Sequence, residues 1–304
     1  MRIVSLLPSA TEILYALGLG DQVLGVSHEC DFPEPARSKP AVTRCAFDYQ
    51  KMNQQQIDDA VRSLAQQGKS LYEIDDAKLQ EIDPDLIITQ ELCHVCAITP
   101  DEVNRATAKL KRQPQILSLN TKLLEDVFSD MVRIGEIAGV DARQKVDSLQ
   151  KRVKRVASQC LYANQVSVGC IEWLDPLWRT GHWIPEMVRL AGGSELFAEI
   201  ARPSRSLSFE ELEQKNPEVL ILMPCGYSLE KTRKEFDAVI EKYPWRRLQA
   251  FKTGQVFLVD ANSYFSRSGP RLVEGLELLA EILHPEYFTN VAPVHSYIRF
   301  EFQV

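Results

Sequence analysis

Residues 76–89 read Asp76-Ala77-Lys78-Leu79-Gln80-Glu81-Ile82-Asp83-Pro84-Asp85-Leu86-Ile87-Ile88-Thr89, and residues 209–223 read Phe209-Glu210-Glu211-Leu212-Glu213-Gln214-Lys215-Asn216-Pro217-Glu218-Val219-Leu220-Ile221-Leu222-Met223. Each stretch is a short helical pattern, about Asp76–Ile82 and Phe209–Lys215, followed by a Pro-containing turn and an apolar run. Proline disfavours the helical region for the residue before it, so each helix has to end there. The runs Leu86–Thr89 and Val219–Met223 lack polar alternation, the pattern of strands covered on both faces. One feature used twice in 304 residues predicts two similar α/β lobes.

The flanking sequence extends this plan. β-branched runs recur at Arg2–Leu6, Gln22–Val26 and Ile116–Leu119 on one side, and at Val166–Ile171 and Val256–Val259 on the other. Strands alternating with helical patterns predict parallel sheets with helices on both faces. Between the two sets, Val127, Met131, Ile134 and Ile137, then Val146, Leu149, Val153 and Val156, fall at helical spacing. Gly139, followed by Asp141 as an N-cap, splits this span into two helices. The expected organisation is an N-terminal α/β lobe at 1–122, a helical spine at 123–163, a C-terminal α/β lobe at 164–283 and a tail at 284–304 whose alternating end suits an edge strand. Ser9-Ala10-Thr11-Glu12, just after Pro8, reads as a capping box opening the first helix.

Composition narrows the function. Hydrophobic residues make up 45% and charged residues 25%, an ordinary balance for a folded chain, and the net charge of −7 supplies no footprint for nucleic acid. The apolar run at the N-terminus ends at Pro8, too short for a signal peptide, and no stretch is long enough to cross a bilayer. These features lead to an expectation of a cytoplasmic protein without membrane insertion. Seven cysteines in such a compartment predict thiols or metal ligands rather than disulfides.

With these motifs placed, the chain resembles the periplasmic-binding-protein-like family with a helical backbone, in its cobalamin-binding branch. The resemblance is carried by Ile3-Val4-Ser5-Leu6-Leu7-Pro8-Ser9-Ala10-Thr11-Glu12, Val26-Ser27-His28-Glu29-Cys30-Asp31-Phe32-Pro33 and the two proline turns, and further by Thr180-Gly181-His182, Ala191-Gly192-Gly193 and Arg267-Ser268-Gly269-Pro270-Arg271. It implies a non-enzymatic receptor holding a corrinoid such as cobalamin, or a related tetrapyrrole or metal chelate, in a cleft between the lobes. Relatives of this kind dock on a permease through one acidic residue per lobe. Glu210 matches in the second lobe but the first has Ala77, which weighs against delivery to an ABC permease. Where cobalamin receptors place aromatic residues, this sequence has Glu29, Cys45, Gln90 and Ser204, while Trp178, Tyr264 and Phe265 keep an aromatic surface.

In α/β lobes ligands sit beyond the carboxyl ends of strands. That rule and the resemblance select Pro8, Ser9, Glu29, Cys45, Gln90, Trp178, His182, Tyr264, Phe265 and Arg267 as ligand-binding candidates, Arg267 for its guanidinium fork. Direct metal binding is an alternative: His28, Cys30, Cys93, His94, Cys96 and Cys225 also follow strands, and thiolate with imidazole is a zinc ligand set. His94 and His182 are candidate axial ligands to a chelated metal. A second alternative is a thiol-redox or metal-dependent enzyme using Cys93-His94-Val95-Cys96. Gly18-Leu19-Gly20 lacks the third glycine of a dinucleotide fingerprint, and no nucleophile elbow, P-loop or His-Glu-x-x-His pair is present.

Overall fold

The computed structural model describes residues 1–90, 98 and 100–301. The chain divides into two compact units: Met1–Thr121 with Glu125–Asp147, and Lys122–Leu124 with Ser148–Val304.

The first unit runs β1 (Ile3–Ser5), α1 (Pro8–Ala16), β2 (Val23–Val26), β3 (Thr43–Cys45), α2 (Gln54–Gln66), β4 (Tyr72–Ile74), α3 (Asp76–Ile82), β5 (Leu86–Gln90), α4 (Pro100–Thr107), β6 (Gln115–Leu119) and α5 (Leu124–Ala138). Strands β2-β1-β5-β6 form a parallel sheet in that order. Its central members are covered on both faces, with Ile3, Val4, Leu86, Ile87 and Ile88 fully buried. A separate antiparallel ribbon, β3 on β4, pairs Thr43 with Ile74 and Cys45 with Tyr72.

After α6 (Arg143–Cys160), inside which the unit boundary falls, the second unit runs β7 (Val166–Leu174), β8 (Leu177–Arg179), α7 (Ile184–Leu190), β9 (Gly193–Glu195), β10 (Arg205–Ser206) and α8 (Phe209–Lys215). It continues through β11 (Val219–Leu222), α9 (Leu229–Val239), α10 (Gln249–Lys252), β12 (Val256–Val259), α11 (Ala261–Tyr264), α12 (Leu272–Leu283) and β13 (Tyr297–Arg299). The sheet order is β10-β8-β7-β11-β12-β13, with β9 also on β7; β7, β11 and β12 are parallel. The tail thus closes the sheet edge as β13, antiparallel to β12. An aromatic cluster under it joins Phe236, Trp245, Phe251 and Phe300.

The two proline turns have the same backbone. Asp75 caps α3 and Ser208 caps α8, and both helices end on a left-handed residue, Asp83 at φ 45° and Asn216 at φ 46°. The next acidic residue then clasps the neighbouring strand: Asp85 Oδ2 accepts the Arg2 amide at 2.7 Å, and Glu218 Oε2 accepts the Ser167 amide at 2.8 Å. One sequence expectation is corrected. Helix α1 starts at Pro8 with Leu7 as N-cap and no side-chain cap, so Ser9 and Glu12 are buried inside the helix rather than capping it. Proline at the first helical position, with its preset φ, starts the helix ahead of the capping-box residues.

Candidate functional site

In the first unit a polar network gathers where β1 and β2 end and β3 begins. Thr11 on α1 donates to Ser5 Oγ at 2.8 Å and lies 3.2 Å from Cys30 Sγ, tying α1 to the loop after β2. Thr43 on β3 accepts the His28 amide and donates to Ser27 Oγ at 3.2 Å. With its own proton so committed, the Thr43 hydroxyl oxygen accepts a hydrogen bond from His28 Nδ1–H, 2.7 Å away. Nε2 is then the unprotonated nitrogen, buried with no hydrogen-bond partner among the described residues, with Glu29 Oε1 at 3.4 Å. Burial lowers the His28 pKa, opposed by the Glu29 charge, so the ring is neutral at pH 7. Tyr49 donates to the same Glu29 oxygen at 2.6 Å, and its own pKa is raised by burial and by that carboxylate. Cys45 is half-buried with a raised pKa, chiefly from burial, and Gln90 is the last residue of β5. Pro8 and Ser9 form the first turn of α1, Ser9 buried.

The second unit joins three strand-end loops. Trp183 Nε1 donates to the Phe265 carbonyl at 2.9 Å, linking the segment after β8 to that after β12. The loop after β11 reaches the same place through the Gly226 amide to Ser266 Oγ at 2.9 Å, and through the Asn262 amide to the Tyr227 carbonyl at 3.0 Å. Phe265 and Arg267 are buried, Arg267 Nη2 donates to Asn262 Oδ1 at 2.9 Å, and Tyr264 is half-buried with Arg271 over its ring. His182 takes left-handed backbone at φ 54°, held by its amide to the Arg202 carbonyl at 2.6 Å and by the Ala201 amide to its own carbonyl at 2.9 Å. Burial lowers the His182 pKa, helped by the Lys122 charge.

On β8 and the segment after it, Trp178 Nε1, Thr180 Oγ1 and His182 Nδ1 are buried atoms without a hydrogen-bond partner among the described residues. Native proteins rarely leave such groups unmet, because each costs about 1–3 kcal/mol. Trp178 and Thr180 are two apart along the β8 segment and so share a face. An indole N–H, a hydroxyl and an imidazole nitrogen together suit a ligand edge bearing carbonyl, carboxylate or amide groups.

The metal expectation is not met where it can be read. Among the described residues, no group of three or more His, Cys, Asp or Glu is arranged to hold an ion. Cys30 is turned to Thr11, His28 Nδ1 is taken by Thr43, and Cys225 belongs to the second unit. Cys93, His94 and Cys96 lie outside the described residues, and with them the redox alternative. The sequence reading missed Tyr49, Thr43 and Thr180. Thr180 was visible inside the Thr180-Gly181-His182 motif, whereas nothing in the sequence ties Tyr49 to Glu29 before the ribbon is seen.

The family described as periplasmic binding protein matches residues 3–263. The chain belongs to that family. Members of it bind solutes without catalysing a reaction. Among curated relatives, the vitamin B12-binding protein of Vibrio cholerae serotype O1 (strain ATCC 39541) is 27% identical over 93% of this chain and 88% of its own length. The uncharacterised ABC transporter substrate-binding lipoprotein YvrC of Bacillus subtilis (strain 168) is 25% identical over 94% and 81%. Among solved structures, the periplasmic heme binding protein from Pseudomonas aeruginosa superposes with a TM-score of 0.71 over 100% of this chain and 99% of its own, at 17% identity, a likeness of fold alone.

Two expectations change. The family and its periplasmic and lipoprotein members overturn the cytoplasmic reading, which leaned on the short apolar run before Pro8, a feature that says nothing about what compartment the folded domain works in. The reading against permease delivery also gives way, since the Bacillus relative is named as an ABC transporter substrate-binding protein. Glu210 and Ala77 do occupy the same position, second in α8 and second in α3, and both are exposed.

Proposed function

We propose that this chain binds a corrinoid, or a related tetrapyrrole or metal chelate, through its strand-end loops and passes it to an ABC permease. The observation that carries the reading is the set of buried polar atoms at Trp178, Thr180 and His182 that have no hydrogen-bond partner among the described residues, in the same unit as the half-buried Tyr264 ring. A corrin ring offers both halves of what those loops lack: a broad apolar face for the rings and a rim of amides for the polar atoms. Arg267 adds a guanidinium suited to a rim carbonyl or a phosphate. In the first unit, Pro8, Ser9, His28, Glu29, Cys45 and Gln90 are the ligand-binding candidates in this reading, a largely polar set rather than an aromatic one. The vitamin B12-binding relatives lend support to a corrinoid over a bare ion.

The test is a titration of the purified protein with cyanocobalamin, cobinamide and haemin, followed by visible spectrum and calorimetry. Saturable binding of one of them at one site per chain is the expected result. No saturable spectral change and no heat with any of the three would overturn the proposal.

A further inference from the structure

Residues 46–71 form an excursion of the first unit between the paired strands β3 and β4. The ribbon closes their base: Cys45 faces Tyr72, and the Ala46 amide donates to the Leu71 carbonyl at 2.8 Å. Out on this excursion sits α2, a helix of 13 residues that caps itself, Asn53 and Gln56 exchanging side-chain and backbone hydrogen bonds. Its apolar residues Ile57, Val61 and Leu64 fall on one stripe but are only half-buried, and Gln54 is the buried residue of the helix. Helix α1, by contrast, buries six of its nine residues. A helix of this length is marginal in water without tertiary packing, and α2 is buried less than α1.

Between the ribbon and α2 lies Tyr49, whose hydroxyl donates to Glu29 Oε1 at 2.6 Å. Glu29 stands on the loop after β2, beside His28, whose ring also meets Tyr72 at the foot of the ribbon at 5.3 Å. One hydrogen bond to a carboxylate therefore connects the excursion to a loop assigned above to the ligand. We propose that residues 46–71 are a flap, and that the Tyr49–Glu29 bond is the latch which holds it over the strand-end loops of the first unit and limits ligand entry. The gating half rests on the ligand reading given above; the latch half does not.

The experiment compares wild type with Tyr49→Phe. In ligand-free protein, amide exchange across 54–66 is expected to rise about tenfold, the size of one charge-assisted hydrogen bond, while exchange in β1 and β5 stays put. The association rate of cyanocobalamin, by stopped-flow absorbance, is expected to rise by a similar factor. Glu29→Gln keeps an acceptor but removes the charge, and is expected to move the exchange in the same direction by less, which covers a Tyr49→Phe chain that fails to fold. Unchanged exchange across 54–66 in the ligand-free variants overturns the latch. Faster exchange with an unchanged association rate overturns the gate. If cyanocobalamin binds neither protein, the ligand reading fails, and the exchange result still decides the latch.

Discussion

The turn at Asp83-Pro84-Asp85 and the turn at Asn216-Pro217-Glu218 are built alike, yet the loops they support are not. Each places a capped seven-residue helix, a left-handed residue and a proline ahead of a buried strand, and each ends in a carboxylate that accepts a backbone amide from the adjoining strand. Beyond the strand ends the chemistry diverges. The first unit offers a largely polar network of Thr11, His28, Glu29, Thr43 and Tyr49 in which His28 Nε2 alone lacks a partner among the described residues, and the second offers Trp178, Trp183, Tyr264 and Phe265 with three such atoms at Trp178, Thr180 and His182. The scaffold is constrained by backbone sterics that have one good solution, whereas the loops answer to the ligand.

That contrast is sharpest at two glycines. A Cβ on Gly181 would strike the backbone of Arg202, Pro203 and Ser204, which cannot move aside without undoing the His182 conformation. A Cβ on Gly25 would meet the side-chain ends of Ile82 at 2.7 Å and Val42 at 2.8 Å, which can yield. Gly181→Ala is therefore expected to cost about 3 kcal/mol in urea unfolding and Gly25→Ala about 1 kcal/mol. Equal losses would erase the distinction between a rigid loop and an adaptable core.

The paired clasps are expected to behave as equals. Asp85→Ala and Glu218→Ala should each lose about 1 kcal/mol, the scale of a hydrogen bond to an exposed carboxylate. For Glu218 the sign with pH is fixed by its lowered pKa, caused first by the Ser167 amide and then by the Ser167 hydroxyl. The clasp contributes fully above the ordinary value of about 4.5 and fades as pH falls below it, so the Glu218→Ala deficit should shrink in acid. A deficit that persists unchanged at pH 3 would assign the loss to something other than the ionised clasp.

Each unit also holds one histidine whose pKa burial lowers, His28 and His182. An unfolded chain binds protons at these sites more readily than the folded one, so stability is expected to fall as pH drops through about 6.5. Urea midpoints measured at pH 7.5 and 5.5 check this, and His28→Asn and His182→Asn should each flatten the dependence. A midpoint that rises on acidification would contradict the burial of both rings.

The scaffold was legible because its signals are local: Pro84 and Pro217 fix where helices end, Gly139 at φ 74° ends α5, and unbroken apolar runs mark the doubly covered strands. The β3–β4 ribbon was not. Thr43-Arg44-Cys45 and Tyr72-Glu73-Ile74 are too short to show a period of two, and their pairing spans a long excursion that only tertiary contacts define. The site was legible as a set of loops but not as bonds. His28 and Cys30 are neighbours in sequence with metal-ligating side chains, yet one is fixed on Thr43 and the other on Thr11, partners remote along the chain.

If the polar atoms of 178–182 that lack a partner among the described residues are there for a ligand, the chain's four tryptophans make that directly measurable. Trp183 already donates to Phe265, and Trp245 is enclosed in the aromatic core at 1% exposure, whereas the half-buried Trp178 has an indole N–H with no acceptor among the described residues. In a nitrogen-15 labelled protein titrated with cyanocobalamin, with the signal assigned by Trp178→Phe, the Trp178 indole resonance should move the most of the four. Saturation of binding with that resonance unmoved would contradict the account.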